Sequence, residues 1–103
     1  NRIRIRILSF RLESAYYLML GSVDVSAGKA YTANAFQMPT HELGQAARPD
    51  GPLYGIDASA PGKIVLFGGG FPYVVNGEVV GGIGVSGGTV EQDMDIAWYA
   101  MSL

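Results

Sequence analysis

The chain has 103 residues, 49% of them apolar and 16% charged, with no cysteine and a net charge of −2. That length and balance describe one folded domain with a modest core, and they exclude a disordered chain, disulfides, thiolate chemistry and cysteine-built metal sites. Four of the seven basic residues are Arg2, Arg4, Arg6 and Arg11, and from Leu12 onward three basic residues stand against nine acidic ones, so the body of the domain lacks the basic face that nucleic acid requires.

The chain opens on Arg2-Ile-Arg-Ile-Arg-Ile-Leu-Ser-Phe10, whose period of two predicts a strand over about 2–10 with Ile3, Ile5 and Ile7 toward a core. The arginine face is either solvated or turned toward an anion or another subunit. The alternation is unlike a signal peptide, and no apolar run approaches the ~20 residues of a membrane span; the expectation is a cytoplasmic protein with no membrane span. Residues 11–22 fit either a helical turn or a loop. Ser22 or Asp24 can then cap a helix running to about Phe36, rich in small residues suited to close packing on a sheet or a second subunit. Met38-Pro39 ends that helix, because a residue before proline avoids the α region, and Thr40 is placed to cap a short helix, His41 to Ala47. Residues 48–62 carry three prolines and three glycines and read as a loop with a turn near Leu53–Ile56. Lys63-Ile-Val-Leu-Phe67 reads as a buried strand. Pro72–Val75 and a run from Glu78 to Val85 flank Asn76-Gly77, the pair that best accepts positive φ at both centres of a type I′ turn, and predict a hairpin. Ser86-Gly-Gly88 breaks the second strand. Thr89 with Gln92 forms a capping box for a last helix, whose Val90, Met94, Ala97 and Met101 share a face, with Trp98 beside them as a core or subunit contact.

Several apparent motifs fail on context. Gly82-Ile-Gly-Val-Ser-Gly87 matches a dinucleotide fingerprint, but no later strand or ribose-binding acid follows at the required spacing. Gly84-Val-Ser-Gly-Gly88 matches a nucleophile elbow, but the one histidine, His41, lies upstream of the serine instead of downstream. Glu91, Asp93 and Asp95 do not share one helix face, and their attraction to a helix start accounts for them. Two features keep a functional reading beside a structural one. Thr40, His41 and Glu42 gather a hydroxyl, an imidazole and a carboxylate at a helix start, able to ligate or position something, with His41 the candidate metal ligand. Gly68, Gly69, Gly70, Gly87 and Gly88 either make tight turns or offer backbone N–H groups to an anion.

Lys29-Ala-Tyr-Thr-Ala33, Met38-Pro-Thr-His-Glu-Leu43, Phe67-Gly-Gly-Gly-Phe-Pro72 and Gly82-Ile-Gly-Val-Ser-Gly-Gly-Thr-Val-Glu-Gln-Asp93 together resemble the GlcG/HbpS-like family, which includes haem-binding proteins and the C-terminal domain of PduO-type cobalamin adenosyltransferases. The resemblance covers about Ser22 to the end. It implies an α+β fold, a profilin-like α/β/α sandwich of helices packed on an antiparallel sheet. It also implies homo-oligomers, from dimers up to octamers. The candidate ligand is haem or a corrinoid such as cobalamin, and the threonine of Pro-Thr-x-Glu-Leu, here Thr40, is implicated in haem contact. His41 occupies the variable position of that motif, and Lys29 opens another. The family usually begins with a helix and a strand ahead of the strand that ends Arg-Met-Asp. Arg11-Leu-Glu13 stands loosely at that place, so the resemblance implies a single domain, 1–103, that is N-terminally incomplete.

The reading that follows is a non-enzymatic binding module for a tetrapyrrole or another small anionic ligand at a subunit interface. Tyr31, Phe36 and Met38 would face the macrocycle, and glycine N–H groups or arginines its propionates. Two alternatives stand beside it: a structural partner of a cobalamin-dependent glycerol or diol dehydratase, and an enzyme acting on small hydroxy acids. No nucleophile–base pair supports the last, and one histidine leaves it little acid–base equipment.

Overall fold

The computed structural model describes the backbone of residues 7–12, 15–21 and 23–101 and the side chains of 24–101. Two strands, β1 (Ile7–Leu12) and β2 (Ala15–Gly21), pair antiparallel and lead into α1 (Val23–Phe36) and α2 (Thr40–Ala46). A long connection with a 3-10 turn at Ile56–Ser59 reaches β3 (Gly70–Val75) and β4 (Glu78–Ser86), and α3 (Val90–Met101) closes the described chain. The strands form one sheet in the order β1-β2-β4-β3.

The expected α+β class holds, with helices on both faces of the sheet. Neighbouring residues of a strand point to opposite faces, and β4 shows what lies on each. A Cβ at Gly82 or Gly84 would run into the backbone carbonyls of Ala30 or Ser26 on α1, so α1 lies directly on that face. Ile83 and Val85, between and beyond those glycines, join Phe71 and Ala97 in the buried apolar core under α3. The buried positions Ser26, Lys29, Ala30 and Ala33 of α1 fall at helical spacing, which is the close packing on a sheet that its small residues predict.

The sheet is antiparallel at both edges, but its central pair, β2 with β4, is parallel. A parallel pair needs a long crossover, and α1, α2 and β3 all lie between these two strands. Residues 15–21, read as a helical turn or loop, are therefore a strand: a strand paired along both edges has no need to alternate apolar with polar residues. The predicted segment 2–6 lies outside the described residues.

Two further expectations are corrected. Lys63–Phe67 is not a strand. The N–H of Val65 donates to Thr32 Oγ1 on α1 at 3.0 Å, so a side-chain hydroxyl supplies what a neighbouring strand would have supplied. Thr40 is not a helix cap. Pro39 holds that position at φ −60°, ψ 143°, with no side-chain cap bond, and Thr40 is the first residue of α2, fully buried. The β-hairpin and the last capping box form as predicted. Asn76 and Gly77 both have positive φ, 52° and 81°. The N–H of Gln92 donates to Thr89 Oγ1 at 3.1 Å, and that of Thr89 to Gln92 Oε1 at 3.0 Å.

Candidate functional site

The residues singled out in the sequence separate into two places. Lys29 enters the interior from α1 and has no exposed surface. Its ammonium donates to Val85 O at 2.7 Å and to Asp93 Oδ2 at 3.1 Å, and lies 5.0 Å from the centre of the Phe67 ring. Three donors thus meet a carbonyl, a carboxylate and a π face. The other oxygen of Asp93 accepts the N–H of Gly88 at 3.1 Å. Gly69 belongs to the same cluster: at φ +121°, a Cβ there would sit 2.6 Å from Val85 O and 2.7 Å from the Lys29 ammonium. The N–H of Val85 returns a bond to Gly69 O at 2.9 Å.

Lys29, a candidate cofactor-binding residue, and part of the glycine array, a candidate anion site, thus have partners within the chain. The carboxylate at the start of α3 is the protein's own Asp93, and it already occupies the Gly88 N–H. The Gly70 N–H is likewise taken, by Thr40 Oγ1 at 2.9 Å. Gly68 is buried where a Cβ would press on Met94, and Gly87 takes φ +140° at the turn out of β4. Glu91 and Asp95 stay at the surface while Asp93 is buried, so the three carboxylates do not gather.

The second place is a cleft of about 310 Å³ at the free edge of the sheet, lined by Pro39, His41 and Glu42 from the start of α2, by Phe71–Val74 of β3, and by Trp98 and Met101 of α3. Its walls follow from local structure. The β3–β4 register slips by one residue between Tyr73 and Val74, and both line the cleft; such irregularities re-aim side chains beside sites. The His41 ring meets Phe71 edge-on at 5.8 Å between centroids, and Phe71 meets Trp98 in the same manner at 5.7 Å. Trp98 is 65% exposed, so it is not a core residue. His41 is half-buried. Its Nδ1 is enclosed with no hydrogen-bond partner, which leaves Nε2 as the nitrogen able to serve a ligand. Among the described residues, Glu42 is the one carboxylate in the lining, and no lysine or arginine joins it.

Of the Thr40–His41–Glu42 group singled out in the sequence, His41 and Glu42 line this cleft, while Thr40 is buried next to His41 in the chain. Tyr31, Phe36 and Met38, expected to face a macrocycle, do not line it; Phe71, Tyr73, Val74, Trp98 and Met101 do. Sequence reading missed that set because its members come from two elements about 25 residues apart, and only the sheet edge brings them together. Among the described residues no three His, Asp or Glu side chains gather as a metal site, and no helix is long and apolar enough to cross a membrane.

Comparison with known proteins adds three findings. The family model described as haem degrading protein HbpS-like matches residues 8–102. The chain is 44% identical, over 92% of its length, to an uncharacterized 15.0 kDa protein of the dhaT-dhaS intergenic region of Citrobacter freundii, and 45% identical, over 82% of its length, to the corrinoid adenosyltransferase PduO of Salmonella typhimurium. It spans 65% of the first protein and 25% of the second. A crystal structure of a PduOC:heme complex superposes with a TM-score of 0.74 at 46% identity, covering 79% of this chain and 59% of that one.

Proposed function

This chain belongs to the HbpS-like family, and from that premise we propose that it is a small-ligand-binding module whose ligand is haem, taken up at the β3 edge, where His41 would hold the iron. The observation that carries the reading is an imidazole on an apolar, aromatic-lined cleft with one ring nitrogen enclosed and unpartnered. A buried polar atom without a partner costs about 1–3 kcal/mol, so His41 is not held by the bonds that secure a structural histidine, and its second nitrogen is left to a ligand. The residues fit the group: neutral imidazole is an established haem ligand, and rings and aliphatic side chains suit a macrocycle face. When bound, haem supplies a redox-active iron. The protein's own part would be to hold that iron through His41, to cover the macrocycle with Phe71, Tyr73, Val74, Trp98 and Met101, and to keep water from its buried edge. With Glu42 as the only acidic or basic side chain among the described residues of the lining, the propionates belong on the solvent side.

A cleft of about 310 Å³ lies at the lower end of small-ligand sites, which run from roughly 300 to 1,000 Å³. It therefore covers one part of a tetrapyrrole. Val74 is 50% exposed and Trp98 65%, which supports a second copy of the chain as the cover for the rest. A homo-oligomer, dimer or larger, is the expected state, and light scattering at micromolar concentration checks it.

The central experiment titrates the purified protein with hemin and follows the Soret band. The expected result is saturable binding at low micromolar affinity or tighter, with a Soret maximum that moves in His41→Ala. A folded His41→Ala variant with unchanged affinity and spectrum removes His41 from the site. If the protein takes up cobalamin and not hemin, the ligand is a corrinoid. If it takes up neither, the tetrapyrrole reading falls and a structural role beside a cobalamin-dependent dehydratase moves ahead; PduO and the dhaT-dhaS relative support that second reading.

A further inference from the structure

We infer that Thr40 acts in ligand binding as a positioning residue for His41 and does not touch the ligand, an inference that rests on the proposed haem site. Thr40 has no exposed surface, and its hydroxyl oxygen accepts the Gly70 N–H at 2.9 Å. The space around it is closed. A Cβ at Gly70 would come within 2.6 Å of both Thr40 Cγ2 and Lys29 O, so only glycine lets β3 approach α2 this closely.

The consequence lies one residue further along each chain. The Thr40–Gly70 bond ties the first residue of α2 to the first residue of β3. The next residue of α2 is His41 and the next of β3 is Phe71, and these two rings stand edge to face at 5.8 Å and line the cleft. α2 has seven residues and no side-chain cap, so it is too short to hold its own geometry and depends on tertiary contacts. The contacts that place it are this bond, the fully buried Leu43, and Gly44 against the Leu66 carbonyl. Of these, the Thr40–Gly70 bond is the one that joins the residues immediately preceding both His41 and Phe71. Metal-binding imidazoles are ordinarily oriented by a partner on the second ring nitrogen. His41 Nδ1 lacks that partner, so the orientation of the ring falls to the backbone beneath it and to Phe71.

The test compares Thr40→Val, which keeps the shape and removes the hydroxyl, with Thr40→Ser, which keeps the hydroxyl. In ligand-free protein the His41 ring-proton resonances, which sense the Phe71 ring, should move in Thr40→Val and stay close to their original positions in Thr40→Ser. With hemin, Thr40→Val should lose affinity by about 10-fold or more, the usual size of an outer-shell effect on a metal ligand, and Thr40→Ser should recover it. Should Thr40→Val not fold, Thr40→Ala carries the same comparison. Unmoved His41 resonances in a folded hydroxyl-free variant overturn the inference. So does a Thr40→Val protein whose Soret spectrum changes while its ligand-free His41 resonances do not, since that pattern marks direct contact. The resonance measurement needs no haem, so it stands even where hemin uptake fails and the ligand assignment falls with it.

Discussion

Lys29 and His41 are two basic side chains placed in opposite ways. Lys29 is wholly enclosed, yet its ammonium meets a carbonyl, a carboxylate and an aromatic face. His41 is only half-enclosed, yet its Nδ1 meets nothing. Burial alone therefore does not separate a structural group from a functional one; the completeness of its partners does. A satisfied buried cation fixes where α1, β4 and α3 sit relative to one another. An imidazole on an open cleft with no bond to the protein from its enclosed nitrogen is not placed as a structural partner, and its other nitrogen is the one a ligand can take.

That contrast breaks most readily at Lys29. Lys29→Met leaves Asp93 buried without its cation, and removing one partner of such a pair typically destabilises by about 3–5 kcal/mol. Adding Asp93→Asn should restore part of the loss, because the amide removes the charge and keeps an acceptor for Gly88. Urea unfolding measures both, and a loss below about 1 kcal/mol for Lys29→Met would mean that the pair is solvated and the contrast mistaken. Gly69→Ala strikes the same cluster from the backbone. Its φ of +121° and the crowding of Val85 O and the ammonium predict a loss of about 1–3 kcal/mol from conformation alone, with more from overpacking. Thr89→Ala removes one half of the box that starts α3 and should cost about 1 kcal/mol, leaving the Lys29–Asp93 pair in place. At the cleft the sign changes. His41→Leu removes the orphaned nitrogen at similar volume, so the ligand-free protein should be as stable as before or more stable by up to about 1 kcal/mol, while hemin affinity falls. Loss of stability in that variant would show that the imidazole contributes to the fold and would erase the distinction from Lys29.

Much of this was readable in advance wherever the signal was local. Asn76-Gly77 marked a two-residue turn because few other pairs tolerate positive φ twice, and both residues adopt it. Thr89 and Gln92 marked a helix start because the bonds they exchange span three residues. The motif resemblance carried the fold class, and the helix α1 came from its small residues and the Met38-Pro39 stop. Local reasoning failed where a segment's backbone bonds go to distant partners. Lys63–Phe67 has a strand's composition, but Val65 bonds to a threonine side chain on α1. Thr40 has a cap's identity and position, but its hydroxyl turns to Gly70, thirty residues away.

By itself the amino-acid sequence determined that the chain has no cysteine chemistry, that its second hairpin and last helix begin where they do, and that His41 is its one imidazole. Those properties depend on composition, on dihedral preferences and on bonds spanning a few residues. Tertiary structure alone decided what each polar group would meet. It placed Asp93 beside Lys29 and Gly88, so that the Gly88 N–H binds a carboxylate of its own chain. It set the Phe71 ring beside His41 and the Trp98 ring beside Phe71, because β3 lies at the edge of the described sheet and α3 packs across its face. A hydrogen bond between residues 40 and 70, or an ion pair between 29 and 93, leaves no periodicity in the chain; it exists only once the sheet has brought its helices together.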